Sequence, residues 1–173
     1  MTQGFWRDRD RYLEAYWSRL PGVWVHGDWA HIDEAGYWYI SGRSDDTIKV
    51  AGKRIGPAEV ESAAVAHPIV LEALAVGIPD EIKGETIVVF AVVRDSAERS
   101  EQLADAVSET IVEHLGKSFK PGAVHLVASL PKTRNGKILR RLARAAYLGL
   151  DAGDTSSLED PRTLEPIRAL RAS

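Results

Sequence analysis

The sequence predicts an α+β fold, a β-hairpin plus a three-stranded sheet with packed helices, and three observations lead there. Residues 86–93 form a near-continuous run of β-branched and apolar side chains, the pattern of a strand covered on both faces. Leu103, Val107, Ile111 and Leu115 fall at every fourth position, an amphipathic helix that Gly116 can cap. From residue 46 onward, strand and helix patterns alternate in the order β, β, α, β, β, α, β, α with short Gly- and Pro-marked connections, which implies one small packed domain.

The composition sets limits on function. The chain has 173 residues, 45% of them apolar and 27% charged, with 22 basic against 25 acidic side chains and a net charge of −3. Whole-molecule attraction to nucleic acid or to an anionic membrane is therefore not expected. The absence of cysteine excludes a disulfide framework, a thiolate nucleophile and Cys-ligated metal. The five histidines are scattered and suggest no metal site. The first ten residues lack the apolar core of a signal peptide and no apolar run approaches ~18 residues, so the expectation is a cytoplasmic protein without membrane spans.

In chain order, Tyr12, Leu13, Tyr16, Trp17 and Leu20 lie at steps of three and four and predict a helix over 7–20, ended by Pro21-Gly22. Its aromatic face is too large to bury against so short a stretch and is expected to pack on something else. Residues 24–30 read as a short strand and turn, and 31–40 as a turn followed by a strand, with Glu34-Ala35-Gly36 as the hairpin connection. Gly42-Arg43-Ser44-Asp45-Asp46 breaks this pattern and marks a boundary between an aromatic-rich first quarter and an aliphatic remainder. Residues 47–51 and 53–55 flank Gly52 as strand, tight turn and strand. Pro57 then opens a helix in which Val60, Ala63 and Ala64 face inward, closed by His67-Pro68. A strand over 70–78 and a short one over 123–127 complete the sheet. The predicted division is 1–44, 45–148 and a tail over 149–173, the last a polar linker followed by at most a loosely docked segment.

The stretch from Pro131 to Arg141 concentrates cations. Pro131 and Asn135-Gly136 are turn residues, and Leu139, Leu142 and Ala146 recur at helical spacing, which puts Lys137 where loop becomes helix. Lys132, Arg134 and Lys137 beside a helix N-terminus suit a phosphate or carboxylate. No acidic residue interrupts the run from Glu113 to Asp151, so an anionic ligand is expected there; a solvated basic helix is the bland alternative.

Motif order favours the first of these. Gly27-Asp28, Gly42-Arg43, Asp45-Asp46, the turn from Ala51 to Gly56, Ala66-His67-Pro68, the stretch from Val76 to Asp80, Lys83-Gly84 and Pro131-Lys132-Thr133-Arg134-Asn135-Gly136-Lys137 together resemble the C-terminal part of the AMP-forming acyl-CoA synthetases, adenylate-forming enzymes, closest to the acetyl-CoA synthetase branch. The stretch from Gly153 to Pro161 is similar to the tail of that branch. The resemblance implies that residues 1–44 are a remnant of a large N-terminal domain and that 45–148 are the small mobile C-terminal domain. The Gly-rich phosphate loop and the acyl pocket of such enzymes are missing here, so the chain alone is expected to be inactive.

The resemblance also implies roles. Lys137 is the catalytic lysine of acyl-AMP formation. Asp28, Arg43 and Arg54 contact the nucleotide, with Asp28 on the ribose hydroxyls. Asp45 is the hinge, and Gly52 with Lys53 forms the turn presented on the CoA side; no metal ligand is assigned. The implied reaction joins a short-chain carboxylate such as acetate to CoA at the expense of ATP, through acyl-AMP, with Mg2+, in concert with the missing N-terminal domain. An exposed Lys137 would also suit a lysine acyltransferase as a partner. The competing class is a small anion- or RNA-binding regulatory or interaction module, since a compact α+β fold with a basic helix fits RNA as well; the acidic net charge and the lack of paired strand aromatics near the tract speak against it.

Overall fold

The computed structural model describes residues 2–94 and 99–170, and the chain divides into two compact units, 1–45 and 46–173.

In the first unit, helix α1 (Arg9–Trp17) starts where Asp8 accepts a hydrogen bond from the Arg11 amide at 3.2 Å, a cap that satisfies one of the free N–H groups of the first turn. The helix is shorter than its apolar spacing predicts. Its aromatic face does find partners within the unit: Tyr12 packs edge-on against Phe5 with ring centroids 5.8 Å apart, and Tyr16 stacks on Trp24 at 5.3 Å. Tyr12 is buried, whereas Leu13 and Leu20 remain exposed.

Strands β1 (Asp28–Ile32) and β2 (Trp38–Arg43) form an antiparallel hairpin. Its connection is organised by Asp33, whose carboxylate accepts from the Ala35 and Tyr37 amides and from the Tyr39 hydroxyl. Those bonds, the Tyr37 amide first, hold its pKa below the usual carboxylate value. Gly42 and Arg43 do not break the strand as their composition suggests. They are its last two residues, opposite Trp29 and Asp28, and the register shift between Trp29 and Ala30 absorbs the irregularity.

The second unit is built on one sheet. Strands β3 (Ile48–Val50) and β4 (Lys53–Ile55) form a hairpin, followed by helix α2 (Pro57–Val65). Pro57 takes the first helical position, and Glu59 reaches back to accept from the Gly56 amide at 3.1 Å. Strands β5 (Val70–Asp80) and β6 (Gly84–Val93) are antiparallel along their whole length. The turn between them is fixed by Asp80, which accepts from the Ile82 and Lys83 amides. Helix α3 (Glu101–Leu115), capped by Ser100, carries the chain over to β7 (Ala123–Val127), which lies parallel to β6. The hairpin joins the three-stranded part through the single pair Val50↔Gly84. Because β5 occupies one edge of β6 throughout, hairpin and β7 share the other.

Alternation along β5 and β6 divides their side chains between two cores. Leu74, Val76, Ile78, Val88 and Phe90 face helices α4 (Arg140–Leu148) and α5 (Leu164–Ala169). Ala73, Ala75, Ile87, Val89 and Ala91 face the hairpin, α2 and α3. A sheet covered on both faces accounts for the unbroken apolar run of β6.

The tail corrects an expectation. Leu158 is 7% exposed, Leu164 2% and Ile167 0%, all within the core built on α4. Its polar linker, residues 151–157, concealed an anchoring pattern with only three large apolar residues. Residues 171–173 of the predicted tail lie outside the described residues.

Candidate functional site

The residues singled out from sequence lie in three places, one in the first unit and two in the second.

In the first unit, hairpin pairing sets Asp28 opposite Arg43. The Asp28 carboxylate is touched by the His26 imidazole and lies 3.7 Å from the Arg43 guanidinium. Arg43 also donates to both carboxylate oxygens of Asp45, at 2.9 and 3.2 Å, and to the His26 carbonyl at 3.2 Å. The Arg43 hydrogen bond holds the Asp45 carboxyl below its ordinary value. Gly27 is required here, because its φ is +88° and an added Cβ would stand 3.1 Å from Arg43 Nη2. Asp28, Arg43 and Asp45 thus form one charged cluster.

The second place is the β3–β4 turn. Ala51 (φ 48°) and Gly52 (φ 80°) both have left-handed backbone, the arrangement of a tight two-residue hairpin turn. No atom lies within 4 Å of a Cβ built on Gly52, so within this chain glycine serves the positive φ and not a close approach. The Ala51 amide donates to the Lys83 carbonyl at 2.9 Å, which ties the turn to the sheet. Lys53 bends back to donate to Ser118 Oγ at 2.8 Å, with its ammonium 6.0 Å over the Phe119 ring. Arg54 is exposed, opposite Lys49.

The third place is the loop over 131–139, and here the geometry differs from the expectation. Helix α4 begins at Arg140, three residues beyond Lys137, so Lys137 is not at its N-terminus. The loop is a small hairpin of its own. Lys132 pairs with Ile138, the Thr133 amide donates to the Lys137 carbonyl at 2.9 Å, and the Leu139 amide donates to the Pro131 carbonyl at 2.9 Å. Gly136 (φ 77°) completes the turn, and Thr133 Oγ1 accepts from the Lys137 amide at 3.2 Å. The Lys137 side chain is exposed, and among the described residues its ammonium has no hydrogen-bond or ion-pair partner.

Most of the other cations of that run are committed elsewhere. Lys132 binds Glu72 at 2.6 Å; Arg140 makes a two-pronged pair with Glu61 at 2.8 and 2.5 Å; Arg141 donates to the Ala152 and Asp154 carbonyls; Arg144 donates to the Gly77 carbonyl at 2.7 Å. Glu61 is only 12% exposed in its side chain and also accepts from the Ala75 amide, so it joins α2, β5 and α4. Glu61 and Glu72 were missed from sequence as partners, though each signalled itself as an acid within an apolar helix face or strand; Glu61 is largely buried and requires a partner, while Glu72 keeps 42% of its side chain exposed.

The hairpin turn and the Lys137 loop stand at opposite ends of β6. The hairpin meets it at Gly84, while Glu72, which anchors Lys132, is paired with Val92. Eight residues of strand separate those points by about 27 Å. Among the described residues no helix is long and apolar enough to cross a membrane, and no group of three or more His, Asp or Glu is placed to hold a metal ion.

Residues 59–137 match the model of the AMP-binding enzyme C-terminal domain. The acetyl-coenzyme A synthetase of Methanothrix thermoacetophila is 46% identical over 171 residues, covering 96% of this chain and 26% of that protein. The 3-hydroxypropionyl-coenzyme A synthetase of Sulfurisphaera tokodaii is also 46% identical, over 97% of this chain and 26% of its own length. Among solved structures, the acetoacetyl-CoA synthetase of Streptomyces lividans superimposes with a TM-score of 0.79 at 29% identity, covering 94% of this chain and 25% of that one. The chain spans about a quarter of the length of the curated relatives it matches. With the fold and the motif order in agreement, the chain belongs to the AMP-forming acyl-CoA synthetases as their C-terminal portion.

Proposed function

We propose that this chain serves as the C-terminal part of an acid–thiol ligase that activates a short-chain carboxylate with ATP and passes the acyl group to CoA. The observation that carries the reading is Lys137, an unpaired ammonium on a hydrogen-bonded loop whose neighbouring cations Lys132 and Arg140 are neutralised by Glu72 and Glu61. A mobile ammonium on a fixed support, with the exposed Arg134 on the same loop tip, suits charge that develops at one point, here the α-phosphate under attack by the carboxylate. Asp28 offers carboxylate oxygens to the ribose hydroxyls, with Arg43 beside it for the phosphates and Arg54 as a further nucleotide contact. The described residues present no cage for magnesium, which would bind through the nucleotide's own phosphates.

The second step uses the other end of the sheet. With the Gly52 hairpin joined to β6 at Gly84 and the Lys137 loop anchored beside Val92, about 27 Å further along the strand, a swing of residues 46–170 at Asp45 presents one end for acid activation and the other for attack by the CoA thiol. The Arg43–Asp45 pair is exposed, which leaves it easy to exchange during such a swing. Because the Lys137 ammonium is exposed, acylation by a lysine acyltransferase would remove the same charge.

The test separates the two half-reactions in the enzyme that carries these residues. Lys137→Ala is expected to lower acyl-AMP formation by about 10²–10³, the scale of one lost charge-stabilising donor, and to leave thioester formation from supplied acyl-AMP intact. Gly52→Leu is expected to do the reverse. Damage by both substitutions to the same half-reaction would overturn the assignment.

A further inference from the structure

The loop that carries Lys137 does not stand alone. Lys132-Thr133 forms its inner edge, with Ile138 on one side and, on the other, a segment from the far end of the chain: Thr133 pairs with Leu158, and the Glu159 amide donates to the Lys132 carbonyl at 2.9 Å. Three short stretches of backbone therefore lie side by side, and the outermost belongs to residues 154–160. Leu158 is fixed by burial among the same residues as Leu142 and Tyr147 of α4. Beyond it, Leu164 and Ile167 are sealed into that core. Before it, Arg141 grips the Ala152 carbonyl and, at 3.1 Å, the Asp154 carbonyl, so the start of the segment is tied to the first turn of the helix that follows the loop.

We propose that residues 154–167 act as a strap that positions Lys137 for acid activation, with Leu158 and Glu159 as positioning residues that never touch substrate; this rests on the reading of Lys137 given above. The physical need is clear from the loop's own bonds. Three backbone hydrogen bonds, from the Thr133, Gly136 and Leu139 amides, close a nine-residue hairpin whose tip, Arg134 to Lys137, is in water. A hairpin that small is marginal by itself, and a third strand on its open edge is what such structures need. Placement matters because a displacement near 1 Å at a charge-stabilising group costs up to about a hundredfold in rate. Among the described residues the strap's backbone pairs with the loop, at Lys132 and Thr133, and not with β3 or β4, so the hairpin turn with Gly52 should not sense it.

The experiment uses the enzyme carrying these residues and two variants that act differently. Glu159→Pro removes the amide that bonds to Lys132 without opening a cavity. Leu158→Ala removes the buried anchor, and Leu158→Met is its conservative rescue. The expected result is amide exchange at least about tenfold faster at Thr133, Gly136 and Leu139 with β6 unchanged. With it, kcat for acyl-AMP formation falls between about tenfold and a hundredfold while KM values stay within about twofold. Thioester formation from supplied acyl-AMP is unaffected, and Leu158→Met recovers the rate. Unchanged exchange and rate in both variants would overturn the proposal, as would loss of both half-reactions together with faster exchange throughout β6, which marks a merely structural tail. If Lys137→Ala itself spares acyl-AMP formation, the Lys137 reading fails by that measurement alone, and the strap's role in activation falls with it.

Discussion

The two units solve the burial problem in different ways. In the first, Tyr12 is the one buried apolar residue among the described residues, while Trp6 is 86% exposed, Trp38 70%, Tyr37 67% and Ile40 66%. In the second, both faces of the sheet are covered and Phe90, Ile87, Leu142 and Ile167 are at 1% or less. Apolar content is therefore a poor guide to stability here; what differs is whether a second layer exists to cover it. The first unit is a helix packed through aromatic contacts on Phe5 and Trp24, followed by a two-stranded hairpin, and two strands without a covering layer are marginal in water. The second has a complete layered core.

The largest expected effect sharpens that contrast. Residues 46–173 produced alone should unfold cooperatively in urea, with the Val88 to Val92 amides the slowest to exchange, whereas residues 1–45 alone should show no cooperative transition. Equal protection in both would break the comparison and mean that the aromatic unit has a core of its own.

A smaller effect compares one ion pair from each unit. Glu61→Ala should destabilise the second unit by about 3 kcal/mol, since it strands the Arg140 guanidinium and the Ala75 amide in a largely buried place. Asp45→Ala removes a partner of Arg43 whose side chain is 65% exposed and should cost less than ~1 kcal/mol. The denaturant midpoint at fixed m-value measures the first and amide exchange at Ser44, which bonds to the Gly27 carbonyl, the second; similar losses would show that exposure is not what sets the worth of these pairs.

The smallest effect lies in the β3–β4 turn. Ala51 holds a left-handed backbone without being glycine, so Ala51→Gly should be neutral to stabilising, by up to about 1 kcal/mol, the relief of backbone strain offset by a more flexible unfolded chain. A clear loss of melting temperature would show that the alanine methyl has a packing role.

Much of this architecture was legible in the sequence where the signal is local. Pro57 marks the start of α2, the period-four apolar residues mark α3, and the unbroken run of β6 marks a doubly covered strand, because each depends on neighbours in the chain. The misreadings concern partners that are distant. A run without acids from Glu113 to Asp151 looked like an anion site in full, yet Glu72 and Glu61 arrive from 60 and 79 residues away to neutralise Lys132 and Arg140. Lys137 stood out for its motif, while its true support, a hairpin closed by backbone bonds, left no trace in side-chain spacing. The segment after the linker read as at most loosely docked because Leu158, Leu164 and Ile167 are too few and too unevenly spaced to show a helix, although all three are buried.

The pairing of β6 with β5 along its full length has a consequence for how such a protein can change over time. The strand is a ruler between the two working ends of the sheet, and its graduations come in twos. Adding one residue to β6 would turn every side chain beyond it to the opposite face and exchange the contents of the two cores. An even insertion, matched in β5, keeps the pattern and lengthens the ruler by about 7 Å, whereas an odd one has to be taken up as a register shift, as between Val70 and Glu72. The spacing between turn and loop is thus set in whole steps of two residues wherever the pairing stays regular.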